Sequence, residues 1–209
     1  MSSDQNCNQL VSSETMGLVK ETWAKVGTML LVSHVLEIYI QKNGQGLMNQ
    51  KWAQASLFTL IGFTTYDVVV KRMVKVNMEN KDLEVALNNA INIGTMLSVS
   101  RALEGLMGPS KSVNFDEDWM KSSLYTILGF AAYDLVTKKF IPSVPDKYAV
   151  AVHTISQFAT MFIVSRLLAD NPLNEQYIKS SSYVLAGFAA YDLVVGPMLV
   201  KKGGIAELN

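Results

Sequence analysis

ILGFAAYDLV, residues 127–136, returns twice elsewhere in the chain, as IGFTTYDVVV at 61–70 and as AGFAAYDLVV at 186–195. One Gly, one Phe, one Tyr and one Asp keep their places each time. They are Gly62, Phe63, Tyr66 and Asp67, then Gly129, Phe130, Tyr133 and Asp134, then Gly187, Phe188, Tyr191 and Asp192. Self-similarity at a long period marks a repeated supersecondary unit, and it governs every local reading that follows. A second motif lies upstream of each copy. Gly27-Thr28-Met29-Leu30 and Ser33-His34 reappear as Gly94-Thr95-Met96-Leu97 and Ser100-Arg101, then as Ala159-Thr160-Met161-Phe162 and Ser165-Arg166. The unit is therefore a pair of helices, A carrying the second motif and B carrying the first.

This pattern predicts six helices, near 14–41, 51–75, 82–107, 119–140, 146–169 and 173–200, after a polar N-terminal segment 1–12. Repeat 1 covers 14–75, repeat 2 covers 82–140 and repeat 3 covers 146–200, within a single domain 1–209. No stretch alternates with period two for long enough to compete as a strand. Gly44 and Gly46 mark the first A-to-B loop, and Pro109 with the acidic run Asp116-Glu117-Asp118 marks the second. In the third, Asn171-Pro172 suits an N-cap followed by the first helical residue.

Apolar residues make up 49% of the 209 and charged residues 17%, against about 25% charged in an average soluble protein. The 18 basic and 18 acidic residues cancel, which leaves no electrostatic footprint for nucleic acid. Cys7 is the sole cysteine, so no intrachain disulfide can form. The first residues lack the basic start and apolar block of a cleaved signal peptide, so membrane insertion is expected to rely on internal segments. The chain contains no Asn-x-Ser/Thr sequon.

A bilayer core of about 30 Å requires about 20 mostly apolar helical residues. The longest uncharged runs, 148–165 and 85–100, fall just short, and the repeated Asp interrupts each B helix. A soluble helical adaptor is the competing expectation. Three features favour the membrane. SSLYTILGFAAY is apolar or small around its whole circumference, with no face for water. Its Gly, Ala, Ser and Thr are the residues that let helices approach closely in lipid. Basic residues are also sorted by end. Lys20, Lys25, Lys71, Arg72, Lys75, Lys81, Lys138, Lys139, Lys147, Lys201 and Lys202 gather at the N-terminal flank, the B-to-A connections and the C-terminal end, against Lys42, Lys51, Lys111, Lys121 and Lys179 at the A-to-B connections. That bias places both termini on the cytoplasmic side. The expected fold is all-α, a six-helix integral membrane bundle built from three parallel two-helix repeats.

Ionisable residues inside membrane helices are functional candidates by default, which singles out Asp67, Asp134, Asp192, His34, Arg101 and Arg166. An Arg–Asp pair between A and B is disfavoured, because at 1.5 Å per residue the two groups reach opposite ends of antiparallel helices. Asp67 with Lys71 and Asp134 with Lys138 have the i,i+4 order of an intrahelical pair. Asp192 has Gly196 and Pro197 there instead, and so no local counter-charge. The arginines can snorkel to the interface. Gly62, Gly129 and Gly187 each lie four residues from an aromatic on either side, Phe58 and Tyr66, Tyr125 and Tyr133, Tyr183 and Tyr191. This predicts a notched face that admits a neighbouring helix. Met29, Met96 and Met161 are read as core filling. His34 and His153 have no ligand cluster, and GQG at 44–46 lacks the third Gly and preceding strand of a phosphate loop. No catalytic, cofactor or metal residue is expected, and no enzyme.

Three two-helix repeats with an acid near a helix end also suggest the mitochondrial carriers, but their Pro-x-Asp/Glu-x-x-Lys/Arg signature is not met at Asp67, Asp134 or Asp192. LGFAAYDLVTKKFIP, residues 128–142, resembles uncharacterised multi-pass membrane proteins of large double-stranded DNA viruses. The resemblance covers the B helices and implies a viral protein of the virion or host membrane. The expected role is structural or interactive, with the lipid bilayer, other membrane or capsid proteins, or further copies of the chain as partners. The rival from another class is a small transporter or channel that uses the three Asp around a pseudo-threefold centre.

Overall fold

Six helices make up the computed structural model, which describes residues 13–41, 50–108 and 111–203: α1 (Ser13–Gln41), α2 (Gln50–Thr65), α3 (Lys81–Met107), α4 (Glu117–Leu135), α5 (Asp146–Leu168) and α6 (Glu175–Ala190). The described residues contain no strand. Segment 1–12, Gly44, Gly46 and Pro109 lie outside them. Two B helices run on through a π turn, Tyr66–Val70 after α2 and Tyr191–Val195 after α6, into Lys71–Met73 and Gly196–Gly203. After α4 the chain instead tightens into a 3₁₀ turn, Thr137–Phe140, ahead of Pro142. Every Tyr-Asp pair thus sits at, or just before, the point where α geometry gives way.

Three of the connections, those into α3, α4 and α6, end in side-chain caps. Asn80 accepts from the Leu83 amide at 3.1 Å, Asp116 from Trp119 at 2.8 Å and Asn174 from Tyr177 at 2.8 Å. Each satisfies an amide that the first helical turn leaves without a partner. Two expectations change here. The acidic run 116–118 is the start of α4 rather than a loop, with Glu117 and Asp118 in the first turn, where the helix dipole favours acids. Helix α6 starts at Glu175 and not at Pro172, because the chain leaves α5 through a left-handed Asp170 (φ 50°) and the Asn171 amide turns back to the Arg166 carbonyl.

The helices meet in a cyclic order. Each B helix packs most extensively on the A helix of the following repeat, α2 on α3 and α4 on α5, and α6 closes the series on α1. Lesser contacts within each repeat, α1 with α2, α3 with α4 and α5 with α6, complete the ring. Inside it the motif phenylalanines converge. Phe130 is buried with Ile93 and Met161, and Phe63, Phe158 and Phe162 pack against them. Phe158 meets Phe130 edge-on at 5.2 Å and stacks on the buried Phe188 at 4.0 Å.

Outside, the ring carries many exposed apolar side chains. Each helix turns an exposed aliphatic outward: Leu31, Leu57, Leu87, Leu128, Ile163 and Ile178, all 41–52% accessible. Four helical stretches, Thr15–Ile40, Gln50–Met73, Asp146–Leu168 and Glu175–Leu199, are long and apolar enough to cross a membrane.

Candidate functional site

The repeated residues form three tiers along the ring. The middle tier is the glycine notch. A Cβ built on Gly62 would stand 2.7 Å from the Met96 carbonyl oxygen and 2.8 Å from its Cα. On Gly129 it would meet Met161 Cα at 2.7 Å, and on Gly187 the Met29 carbonyl oxygen at 2.6 Å. The two sequence motifs are therefore the two halves of one contact, made three times in all: twice between successive repeats and once between the third repeat and the first. Backbones that close exclude any side chain larger than hydrogen. Of the methionines expected to fill the core, Met161 is buried in it and Met96 packs against it, while Met29 is half-buried; all three also supply backbone at the notch.

The second tier holds the Asp and Tyr residues. The i,i+4 pairs expected for Asp67 and Asp134 do not close among the described residues. Instead each carboxylate is held from an A helix. Thr22 Oγ1 donates to Asp67 Oδ2 at 3.0 Å, and Asn89 Nδ2 to Asp134 Oδ2 at 2.7 Å. The helix geometry explains the change. A π turn carries Lys71 out of phase with Asp67, and α4 stops at Leu135, before Lys138. Asp192 was expected to lack a counter-charge. It has one in Lys25 of α1, at 3.1 Å, with the Asp192 side chain 2% exposed. Lys25 also donates to Thr154 Oγ1 at 3.2 Å, and the second carboxylate oxygen, Oδ2, has no partner. Beside these, Tyr133 Oη and His153 Nδ1 lie 2.7 Å apart, and Lys25 Nζ stands 5.9 Å from the centre of the Tyr191 ring.

Lys25 had been noted only as a flanking basic residue, and Thr22, Asn89 and Thr154 had not been singled out. Their signal lies in the register. Thr22, Asn89 and Thr154 each stand five residues before the first position of the A motif, Gly27, Gly94 or Ala159, so all three repeats carry a polar side chain at the level of the Asp. Lys25 shares its position with Asn92 and Gln157.

The third tier, toward the A-to-B end, contains His34, Arg101 and Arg166, and none of them touches an Asp of the second tier. His34 is buried and stacks on Trp52, with ring centres 4.2 Å apart and planes within 8°. Arg101 donates to Asp116 at 3.3 Å, to Glu104 at 3.1 Å and to the Asn114 carbonyl at 3.0 Å. Arg166 lies over the Tyr177 ring at 4.3 Å. Trp52, Trp119 and Tyr177 hold one repeat position, so an aromatic accompanies His34, Arg101 and Arg166 in turn. Two clefts open at this level. One, of about 560 Å³, lies between α2, α3 and α4 and includes Phe58, Ser100, Arg101 and Trp119. The other, of about 580 Å³, lies between α4, α5 and α6 and includes Tyr125, Ser165, Arg166 and Tyr177 at the equivalent positions.

Chemically, these tiers hold and orient. Among the described residues no group of His, Cys, Asp and Glu is arranged to take a metal ion. No family model, curated protein or solved structure matches the chain.

Proposed function

We propose that this chain is an integral membrane protein of six spans whose role is structural or interactive, its partners being lipid and neighbouring membrane proteins or copies of itself. The observation that carries the proposal is the exterior. An aliphatic side chain from every helix stands outward, including α3 and α4, whose own sequences carry more charge. Water would meet a continuous apolar belt there, far beyond what monomeric soluble proteins tolerate, whereas hydrocarbon would meet nothing foreign. Because α3 and α4 are wedged between α2 and α5, helices that qualify as spans by themselves, the ring supports all six crossing together. The resemblance to viral multi-pass proteins extends the proposal to a virion or host membrane.

Alkaline extraction tests the first part, the expectation being that the protein stays in the membrane pellet; release into the supernatant refutes it. Topology follows from the even number of spans per repeat. In a Cys7→Ser background, cysteines at Gln45, Ser110 and Asn174 should be labelled from outside, and those at Asn77 and Ser143 protected. Labelling that alternates between repeats would exclude parallel units.

One observation favours a second reading, a small transporter. Asp192 is buried against a partly exposed Lys25 and keeps one carboxylate oxygen free, an arrangement that would suit an ion or proton ligand. Ion or solute flux in liposomes that disappears with Asp192→Asn, in a variant that still assembles, would establish that reading over the scaffold.

A further inference from the structure

We propose that the cleft between α4, α5 and α6 is a binding site for a phosphate-bearing anion, with Arg166 as its principal ligand. The inference goes beyond the membrane assignment and starts from a difference between repeats. Arg101 and Arg166 occupy the same position and face equivalent clefts. Arg101 is neutralised internally, by Glu104 and by the α4 cap Asp116. In the third repeat the position of Glu104 is taken by Ala169 and that of Asp116 by Asn174, the neutral cap of α6. Both counter-charges are gone, and the cation remains.

The Arg166 guanidinium makes no hydrogen bond or ion pair among the described residues, and its Nε is buried without a partner. A donor N–H withdrawn from water without a partner is costly, so the site is incomplete at Nε as the chain alone builds it. Tyr177 covers one face of the guanidinium plane. The in-plane N–H groups remain available, and their fork geometry matches two oxygens of a phosphate. The rest of the lining adds Lys121, whose pair with Glu117 is a solvent-exposed one, and the Ser122 hydroxyl, while the hydroxyls of Thr126 and Ser165 donate to backbone carbonyls of their own helices. Asp118 also lines the cleft, as an exposed residue that makes no ion pair with Arg166. Two sources can present a phosphate there, a phospholipid headgroup or a phosphate ester dissolved in water. Exposed Leu124, Leu128, Ile163 and Leu167 on the helices that wall the cleft would suit acyl chains.

The test uses the full chain in a neutral detergent and reads the thermal midpoint. Dioleoyl phosphatidic acid is compared with dioleoylglycerol, and sodium phosphate with sodium chloride at equal ionic strength. The parent should be stabilised by phosphatidic acid over dioleoylglycerol, and the apparent affinity should fall roughly tenfold or more in Arg166→Gln, since a hydrogen-bonded charge is lost. Ala169→Glu, which restores the acid that repeat 2 carries, should abolish the effect at an exposed helix end without touching the arginine. Arg101→Gln should leave it intact. Stabilisation by phosphatidic acid alone assigns the lipid source, and stabilisation by inorganic phosphate as well assigns a soluble one. A parent with no preference in either comparison, or a preference that survives both Arg166→Gln and Ala169→Glu, overturns the site. Because the inorganic arm needs no bilayer, failure here is separable from failure of the alkaline extraction.

Discussion

Gly129→Ala and Gly27→Ala are the same chemical change at two helical glycines, and they should act with opposite sign. The Cβ at position 129 would stand 2.7 Å from Met161 Cα and 2.8 Å from the Met161 carbonyl oxygen. Ordinary carbon contacts begin near 3.5 Å, so α4 and α5 must separate by somewhat under 1 Å, and backbone cannot yield as a flexible side chain can. Overpacking of this kind costs about 1–3 kcal/mol. Relief of the conformational freedom of glycine returns about 0.5–1 kcal/mol, leaving a net loss of roughly 0.5–2 kcal/mol from the two together. At Gly27 an added Cβ meets nothing within 4 Å, and the third repeat already has Ala159 at that position. Only the gain of about 0.5–1 kcal/mol remains there. Thermal unfolding in detergent, followed by loss of monodisperse protein, measures both variants against the parent. If Gly129→Ala melts at or above the parent, or Gly27→Ala loses as much, the close approach of the helices is not what the glycine is for.

The buried pair should be asymmetric. Lys25→Met leaves the Asp192 carboxylate, 2% exposed, without its cation and should cost about 3–5 kcal/mol. Asp192→Asn strands only a lysine that is 28% exposed and can reach water, so it should cost less, and the double variant should recover part of the loss in a double-mutant cycle. Equal single losses with no recovery would rule out the pairing. At the equivalent level of repeat 2, Asp134→Asn keeps an oxygen to accept from Asn89 and should be nearly neutral. Asn89→Leu removes the donor from a buried carboxylate and should cost about 1–3 kcal/mol or more. The same melting assay ranks them, and the reverse order would place the Asp134 contact elsewhere.

Helix content and repeat length were legible because Gly, Phe, Tyr and Asp recur at fixed spacing, and an apolar A motif precedes each copy. The notch was legible too, as a glycine flanked by aromatics. What received it was not. Adjacent helices in sequence suggest an A–B hairpin as the packing unit, whereas α2, α4 and α6 pack chiefly on the next repeat. That single displacement hid Met29, Met96 and Met161 as notch partners, and Lys25 as the counter-charge of Asp192. The i,i+4 arithmetic at Asp67 assumed an unbroken α-helix, and the π turn at Tyr66–Val70 changes the phase before Lys71. At Asp170 a left-handed residue lengthens the turn and moves the cap from Asn171 to Asn174, a choice that Asn-Pro composition does not reveal.

Closing α6 on α1 has a consequence for how the molecule is made. The partner of α1 is α6, so α1 must wait until the four helices between them have been made before Gly187 reaches Met29. Contacts so distant in sequence carry the loop-closure cost that slows folding. An open solenoid can gain or lose a repeat at either end, but a closed ring has no end to extend. A chain truncated after two repeats would leave the Met29 face of α1 unoccupied, and a fourth copy would have nowhere to dock until the seam between α6 and α1 opened. Three repeats therefore complete the ring, because each glycine notch is already occupied by the methionine backbone of another repeat.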